Sequence, residues 1–593
     1  MGVRFHTPAC PPREVERLRS QLGVSDVLAQ VLVRRGLSDP RAADAFLKAE
    51  ERHDIAAFGG LEEAAQLVCV HMRRGSPITI HGDYDVDGVC ATAVLVRALR
   101  ALGARVDWHL PDRAEGYGLS HATVARVARR GTGLLITADC GITAVQEVAA
   151  ARALGMDVIV SDHHAPRPDG ARPDAPLVHP ALCGYPCAEL CAAAVAHKLA
   201  EAVWQAAGRD PLQRREEDLD LLALATIADL VPLRGENRAL ARVGLRALAR
   251  TSKPGLRALM AVARVDPGRV DERAVGFGLA PRLNAAGRLY RADAALELLL
   301  TEDPLRAAQV ADELDRANSE RRLLEQRIRA QAEAQLEERP QERWAHVLWG
   351  EGWHPGVIGI VASRLVESHG RPVVMIALEG ERGRGSGRSV EAFDLLAGLS
   401  ACAGHLDRYG GHAAAAGLEI ERERLEGFAR ALDAHAAELL CEEDLLAQER
   451  VDALVAGTQL GMELAEELSR LAPFGKGNPS VSLMVEDAVL RNIRTMGEGR
   501  HARFTVHSGA AHAAAVAFGR GASLGVREGQ PAQATFTLEV NEWRGVSEPR
   551  LVLRHAAPAV VDEATIEACP TPGLAQPPLF DLQTLRAEPA ALR

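Results

Sequence analysis

Lysine is nearly missing from this chain: Lys48, Lys198, Lys253 and Lys476 are all it has among 69 basic residues in 593. Pairing with phosphate or carboxylate therefore falls to arginine, whose planar fork suits bidentate contacts. Net positive charge is missing too. The formal balance of −11 argues against coating nucleic acid by bulk attraction, so any such contact must come from local arginine clusters. No charge-free apolar run of about 18 residues occurs, and Met1-Gly2-Val3-Arg4-Phe5 does not open onto a signal-peptide core. The expected location is the cytoplasm. Ten irregularly spaced cysteines do not make a disulfide framework. Their one cluster, Cys183, Cys187 and Cys191 with His179 upstream, has the spacing of a helix face, but Gly184 and Pro186 interrupt a helix there. Structural thiols are the expectation, ahead of a metal site.

Acid in unusual places is what the chain does have. The short apolar run Ile78-Thr79-Ile80 leads into His81-Gly82-Asp83-Tyr84-Asp85-Val86-Asp87-Gly88, which opens a helix-like segment. Three carboxylates at alternate positions repel one another unless a cation sits among them. A solvated acidic turn would account for one such run in isolation, but the pattern recurs. Leu134-Leu135-Ile136-Thr137-Ala138 ends in Asp139-Cys140-Gly141, and Val158-Ile159-Val160-Ser161 ends in Asp162-His163-His164. In an open parallel sheet the ligand crevice lies beyond the carboxyl ends of the strands, so these clusters converge on one site. Asp229 interrupts Leu221-Leu222-Ala223-Leu224-Ala225-Thr226-Ile227-Ala228, and buried aspartate is rare unless paired or coordinated.

These four segments, Asp83-Tyr84-Asp85-Val86-Asp87-Gly88, Thr137-Ala138-Asp139-Cys140-Gly141, Ser161-Asp162-His163-His164 and Thr226-Ile227-Ala228-Asp229, resemble the successive motifs of the DHH phosphoesterase superfamily. The likeness is strongest to its bacterial single-strand-specific 5′ to 3′ DNA exonucleases and extends over roughly residues 40 to 560. It implies an α/β fold: a doubly wound parallel-sheet DHH domain, a long connecting helix, a second α/β domain of DHHA1 type, and a β-barrel OB-fold. It also implies phosphodiester hydrolysis at two divalent ions, Mn2+ or Mg2+, releasing 5′-mononucleotides from single-stranded DNA in recombination and repair.

Composition shifts divide the length into several domains. Residues 1–55 are helix-periodic and read as a small lead-in without chemistry. Residues 56–303 alternate β-like and Ala-rich runs, the pattern of a doubly wound sheet. Residues 304–340 carry no glycine and form a helix of roughly 50 Å that joins two lobes, with Arg321 and Gln335 breaking the heptads of a coiled coil. Residues 341–448 form the second lobe, 449–562 the barrel, and the proline-rich 563–593 a tail.

Under the resemblance, Asp85, Asp87, Asp139, His163 and Asp229 hold metal, Asp139 is the bridging candidate, and His81 and Asp83 lie at the ions or behind them. An imidazole ligand favours Mn2+ over Mg2+. His164 contacts phosphate, with Asp162 orienting a histidine. Arg113 serves equally on sequence grounds as a surface partner of Asp112 or Glu115; the resemblance assigns it to the 5′ phosphate end. In Ala280-Pro281-Arg282-Leu283-Asn284-Ala285-Ala286-Gly287-Arg288 it makes Arg282, Asn284 and Arg288 phosphate contacts. Gly352-Trp353-His354-Pro355-Gly356, Gly385-Ser386-Gly387-Arg388 and Gly410-Gly411-His412 place His354, Ser386, Arg388 and His412 on a substrate surface where backbone amides, a hydroxyl and guanidinium groups reach phosphate together. Ala192, Ala194 and His197 stand where the family has small glycines and an aromatic. In the barrel Phe504, Phe518 and Phe536 are expected in the core, while Trp543 either packs or stacks on a base.

A phosphodiesterase for short oligonucleotides or cyclic dinucleotides is the alternative within enzymes. The barrel and the Arg113, Ser386 and Arg388 set favour long strands instead. A non-catalytic replication scaffold would lack metal carboxylates, and here every one is present. A monomer without membrane attachment is expected, with a single-strand-binding protein and a RecQ-like helicase as the partners the resemblance implies.

Overall fold

A computed structural model describes residues 3–111, 118–289, 291, 293–338, 343–543 and 545–559. The expected tail at 563–593 and Arg113 lie outside these residues. The side chains of Arg288 and Trp543 do too.

Five parallel strands form the sheet that carries the acidic segments, in the order Val106–His109, Ile78–His81, Leu134–Ala138, Asp157–Ser161 and Leu177–Val178. Successive side chains on a strand point to opposite faces, and both faces here are apolar because helices cover both. Ile136 and Ile159 pack with the helices Leu61–Arg74, Val86–Ala101 and Ala192–Ala206, whereas Leu135, Val158 and Val160 pack with His121–Arg129 and Val145–Ala153. The chain leaves the Ile78–His81 strand for the sheet edge and then returns to its other side at Leu134–Ala138. That reversal opens a crevice at the carboxyl ends of these two strands, and the acids follow them directly.

The helix Pro304–Glu337 belongs to two cores. Its Ala307, Val310, Ala311 and Leu314 complete the first lobe, and its Ile328 and Ala332 pack with Trp353, Val357 and Leu365 of the second. The polar residues that break its heptads have partners: Arg321 bonds Asn318 and Glu325, and Gln335 donates to the Trp349 carbonyl at 2.7 Å. The second lobe is a mixed sheet ordered Arg408–Gly411, Ala415–Glu421, Arg382–Arg388, Val373–Glu379 and His346–Glu351, with the helix Pro355–His369 on one face and Leu425–Leu439 on the other.

The last unit is a barrel in which Leu483–Met496 and Pro531–Trp543 pair to close the sheet. Phe504 and Phe536 are buried in it as expected, but Phe518 is not: it is exposed beside the Arg550 guanidinium. The N-terminal segment is more than a helical lead-in. Strand Val3–His6 pairs with Ala447–Arg450, and Leu18, Leu28 and Leu32 share the barrel's core. Among the described residues no helix is long and apolar enough to cross a membrane.

Candidate active site

Each acid in the crevice is placed by backbone that has few alternatives. Asp85 caps the helix Val86–Ala101, its Oδ1 accepting from the N–H groups of Asp87 and Gly88 at 3.0 and 3.1 Å. Position 88 must be glycine, because a Cβ there would lie 2.6 Å from the Asp83 nitrogen. Asp87, in the first helical turn, accepts from the backbone N–H groups of Ala192 and Ala193, each at 2.7 Å. The N-terminus of a second helix, Ala192–Ala206, thus holds this carboxylate, where the helix dipole favours negative charge. Asp139 has φ +69, a left-handed conformation uncommon outside glycine and easiest for Asp and Asn.

These groups meet around His163. Its Nε2 lies 3.3 Å from Asp139, 3.7 Å from Asp87 and 3.8 Å from Asp229, and is buried without a hydrogen-bond partner. Three overlapping ligand groups result: Asp83, Asp85 and Asp139; Asp87, His163 and Asp229; and Asp139, His163 and His164. Burial, then the charges of Asp229 and Asp85, pushes the Asp87 carboxyl well above its ordinary range. Burial, then Asp87, Asp85 and Asp83, does the same to Asp139. Asp229 is pushed up to about 6 by burial and Asp85. Burial and His164 push His163 down to about 4, leaving a neutral imidazole with a lone pair aimed among carboxylates. Acids that cannot all ionise side by side, around an unpartnered imidazole nitrogen, suit a divalent cation and little else. The residues present fit such ions.

Asp162 does different work. Its oxygens accept from the N–H groups of Ile142, His163 and His164 and from His164 Nδ1 at 2.8 Å. Burial would raise this carboxyl, but the hydrogen bonds, His164's first, hold it below the ordinary value. The His164 side chain is about half exposed. Burial would lower it, but the Asp162 hydrogen bond and charge outweigh that and raise it. His81 does not join the three ligand groups. Its Nε2 faces the Gly118 carbonyl at 3.3 Å and its ring stacks on His109. Cys191 bonds Thr226, and Cys183 and Cys187 form no ligand group among the described residues. Buried His197 bonds the Glu217 carbonyl.

Two residues expected on phosphate have partners within the fold. Arg282 is buried, bonding Asp315 of the connecting helix at 2.8 Å and the Gly278 carbonyl at 2.6 Å. Asn284 Oδ1 accepts from the Val86 N–H at 3.1 Å and so pins the start of the metal-site helix. In the second lobe Arg388 Nη1 bonds Ser386 Oγ at 3.1 Å and the Gly387 carbonyl at 2.7 Å. They line a cavity of about 750 Å³ together with Gly356, Gly359, Ser363 and Arg364. A Cβ at Gly359 would meet Ser386 Oγ at 2.8 Å, so glycine keeps this pocket open. His354 caps the helix behind it, accepting from the Gly356 N–H at 3.0 Å. His412 is exposed at a hairpin tip, its N–H bonded to the Ala415 carbonyl.

A larger cavity of about 1580 Å³ lies between all three units, lined by Thr226 and Ala228 beside Asp229, Arg321 and Arg364, and Lys476 and Arg550 of the barrel. Lys476 is close enough to Asp229 for its charge to favour the carboxylate. Sequence reading passed over Arg364 and Arg550. For Arg364 there was a signal, since Gly356, Gly359, Ile360, Ser363 and Arg364 recur at one helix face's spacing.

Comparison with known proteins agrees with this geometry. Family models match residues 77–226 (DHH family, N-terminal domain), 342–438 (DHHA1 domain) and 451–555 (RecJ OB domain). The single-stranded-DNA-specific exonuclease RecJ of Bacillus subtilis is 38% identical over 554 residues, 92% of this chain and 69% of that protein. The Thermus thermophilus RecJ structure in complex with Mn2+ superposes with a TM-score of 0.81 at 32% identity, covering 93% of this chain and 79% of that one. The same protein with Mg2+ gives 0.76 at 30% identity, covering 94% and 78%.

Proposed function

This chain belongs to the RecJ family of single-stranded-DNA-specific exonucleases, and from that premise we propose that it degrades single-stranded DNA from the 5′ end to 5′-mononucleotides, in recombination and repair. The observation that carries this reading is the cluster of Asp83, Asp85, Asp87, Asp139, His163 and Asp229, whose ligand atoms lie close enough together to hold metal. Two divalent cations, Mn2+ or Mg2+, supply when bound an activated water and positive charge on either side of the scissile phosphate.

The chain's own residues do the rest. Asp83, Asp85 and Asp139 would hold one ion and Asp87, His163 and Asp229 the other, Asp139 being common to two of the ligand groups. With Nδ1 given to Asp162, His164 carries its mobile proton on Nε2, the atom placed to bond a phosphate oxygen or protonate the leaving oxygen. Ser386 and Arg388 bind the 5′ phosphate, and Lys476, Arg364 and Arg550 line the path of the strand between lobes and barrel. Asn284 orients the metal-site helix instead of touching DNA. Arg113 and Arg288 keep the substrate roles the resemblance gives them, and Trp543 stacks on a base. A cytoplasmic monomer, working with a single-strand-binding protein and a RecQ-like helicase, completes the proposal.

Digestion of single-stranded DNA labelled separately at each end, with Mn2+, tests it. Mononucleotides appear early from a 5′ label and late from a 3′ label, and Asp139→Ala abolishes both. Binding without cleavage by the native protein, or cleavage confined to di- to tetranucleotides, overturns the reading.

A further inference from the structure

Phe277 is the most exposed large apolar side chain among the described residues, at 80%. It stands between Gly276 and Gly278 in the π-helical stretch Ala274–Leu279, which runs directly into the helix carrying Asn284. A π turn throws one side chain out of the register that packs its neighbours, and such turns recur at functional sites. An aromatic ring left in water forgoes its main source of stabilisation.

Its surroundings say what the ring is for. The two cavities meet at Phe277, Ile360 and Arg364, which line both. One leads to Ser386 and Arg388; the other runs past Thr226 and Ala228 beside Asp229. Arg273, Arg364 and Arg329 also line these cavities; each pairs with a glutamate, yet their side chains stay 66%, 49% and 37% exposed. A flat apolar face in a cavity that guanidinium groups also line complements a nucleobase and its phosphates, because every base offers a π-face whatever its sequence.

We propose that Phe277 is a stacking platform for a nucleobase of the single strand, holding it where the Ser386–Arg388 cavity opens into the cavity beside the metal site. The proposal rests on the reading of this chain as a single-strand nuclease. Phe277 positions substrate and takes no part in bond breaking.

Steady-state digestion of single-stranded oligonucleotides with Mn2+ by the native chain, Phe277→Ala, Phe277→Leu and Phe277→Trp tests it. Phe277→Ala raises KM about ten-fold, the order of one base–aromatic stack, with kcat unchanged. Phe277→Trp restores KM and Phe277→Leu does not. An abasic residue stepped along the strand raises KM for the native enzyme at one position and adds nothing there in Phe277→Ala. An unchanged KM in Phe277→Ala, or a Phe277→Leu equal to native, overturns the stacking role, with an unaltered Mn2+-induced thermal shift showing that the fold is intact. A native enzyme that leaves single strands whole instead overturns the functional reading beneath it.

Discussion

The first lobe contains two buried acid clusters close in sequence, and they are built in opposite ways. Around Asp218 the carboxylate is ringed by cations: Arg214, buried on the same turn, Lys253 at 3.1 Å and Arg97 at 2.9 Å. Burial would raise this carboxyl, but Arg214, then Lys253 and Arg97, pull it far below its ordinary range. Around Asp139 the neighbours are other acids and the imidazoles of His163 and His164, and the carboxyl is driven up. One cluster is complete as folded and the other is complete only with ions. Burial alone therefore does not mark a functional acid; the sign of what surrounds it does.

Substitution to asparagine separates the two. Asp139→Asn keeps the left-handed backbone, which Asn tolerates, and lowers Mn2+-dependent hydrolysis by about a thousand-fold or more, since the ions' charge stabilisation is worth several kcal/mol; labelled-strand digestion measures it. Without metal the same change does not lower the melting temperature, because it removes a repulsion. Asp218→Asn does the reverse. It leaves buried Arg214 with only the half-exposed Glu217 as carboxylate partner and costs about 3–5 kcal/mol of stability, seen as an earlier denaturation of the first lobe, while activity at low temperature persists.

Metal sharpens the contrast. Mn2+ at a hundred times its Kd stabilises the native chain by about 2.7 kcal/mol, read as a thermal shift reversed by chelator, and gives no such shift in Asp139→Asn. Asn284→Ala loosens the helix start that bears Asp85 and Asp87, and weakens Mn2+ binding about ten-fold in a titration followed by that shift.

The smallest effect is in pH. Because Asp218 sits below its unfolded value, its stabilisation is whole above about pH 4 and is lost as pH falls through the folded value. The stability gap between native and Asp218→Asn closes on acidification from about pH 4 downward.

The convergence of three acidic segments was legible because Asp83, Asp139 and Asp162 stand one or two residues past strand ends and the parallel topology brings these together; Asp229, at the end of the helix Leu219–Ala228, stood out by its apolar surroundings. The fold was legible for the same reason, since periodicity and turn residues are local. What was not legible is pairing across distance. Nothing local to Arg282 announces Asp315, nor does anything near Asn284 announce Val86, so neither contact could be read from the sequence. The first strand reads as lead-in because its partner, Ala447–Arg450, lies far along the chain. Phe518 alternates with core residues yet faces outward past the end of its strand, Ala511–Ala517. Phe277, set between two glycines, gave only the faint signal of an aromatic without periodic neighbours.

Crystals grown with Mn2+ and measured at the manganese edge decide between the two kinds of cluster. The account predicts two anomalous peaks, one among Asp83, Asp85 and Asp139 and one among Asp87, His163 and Asp229, with Asp139 touching both and none at Asp218. Peaks elsewhere, or a lone ion that Asp139 does not contact, would contradict it.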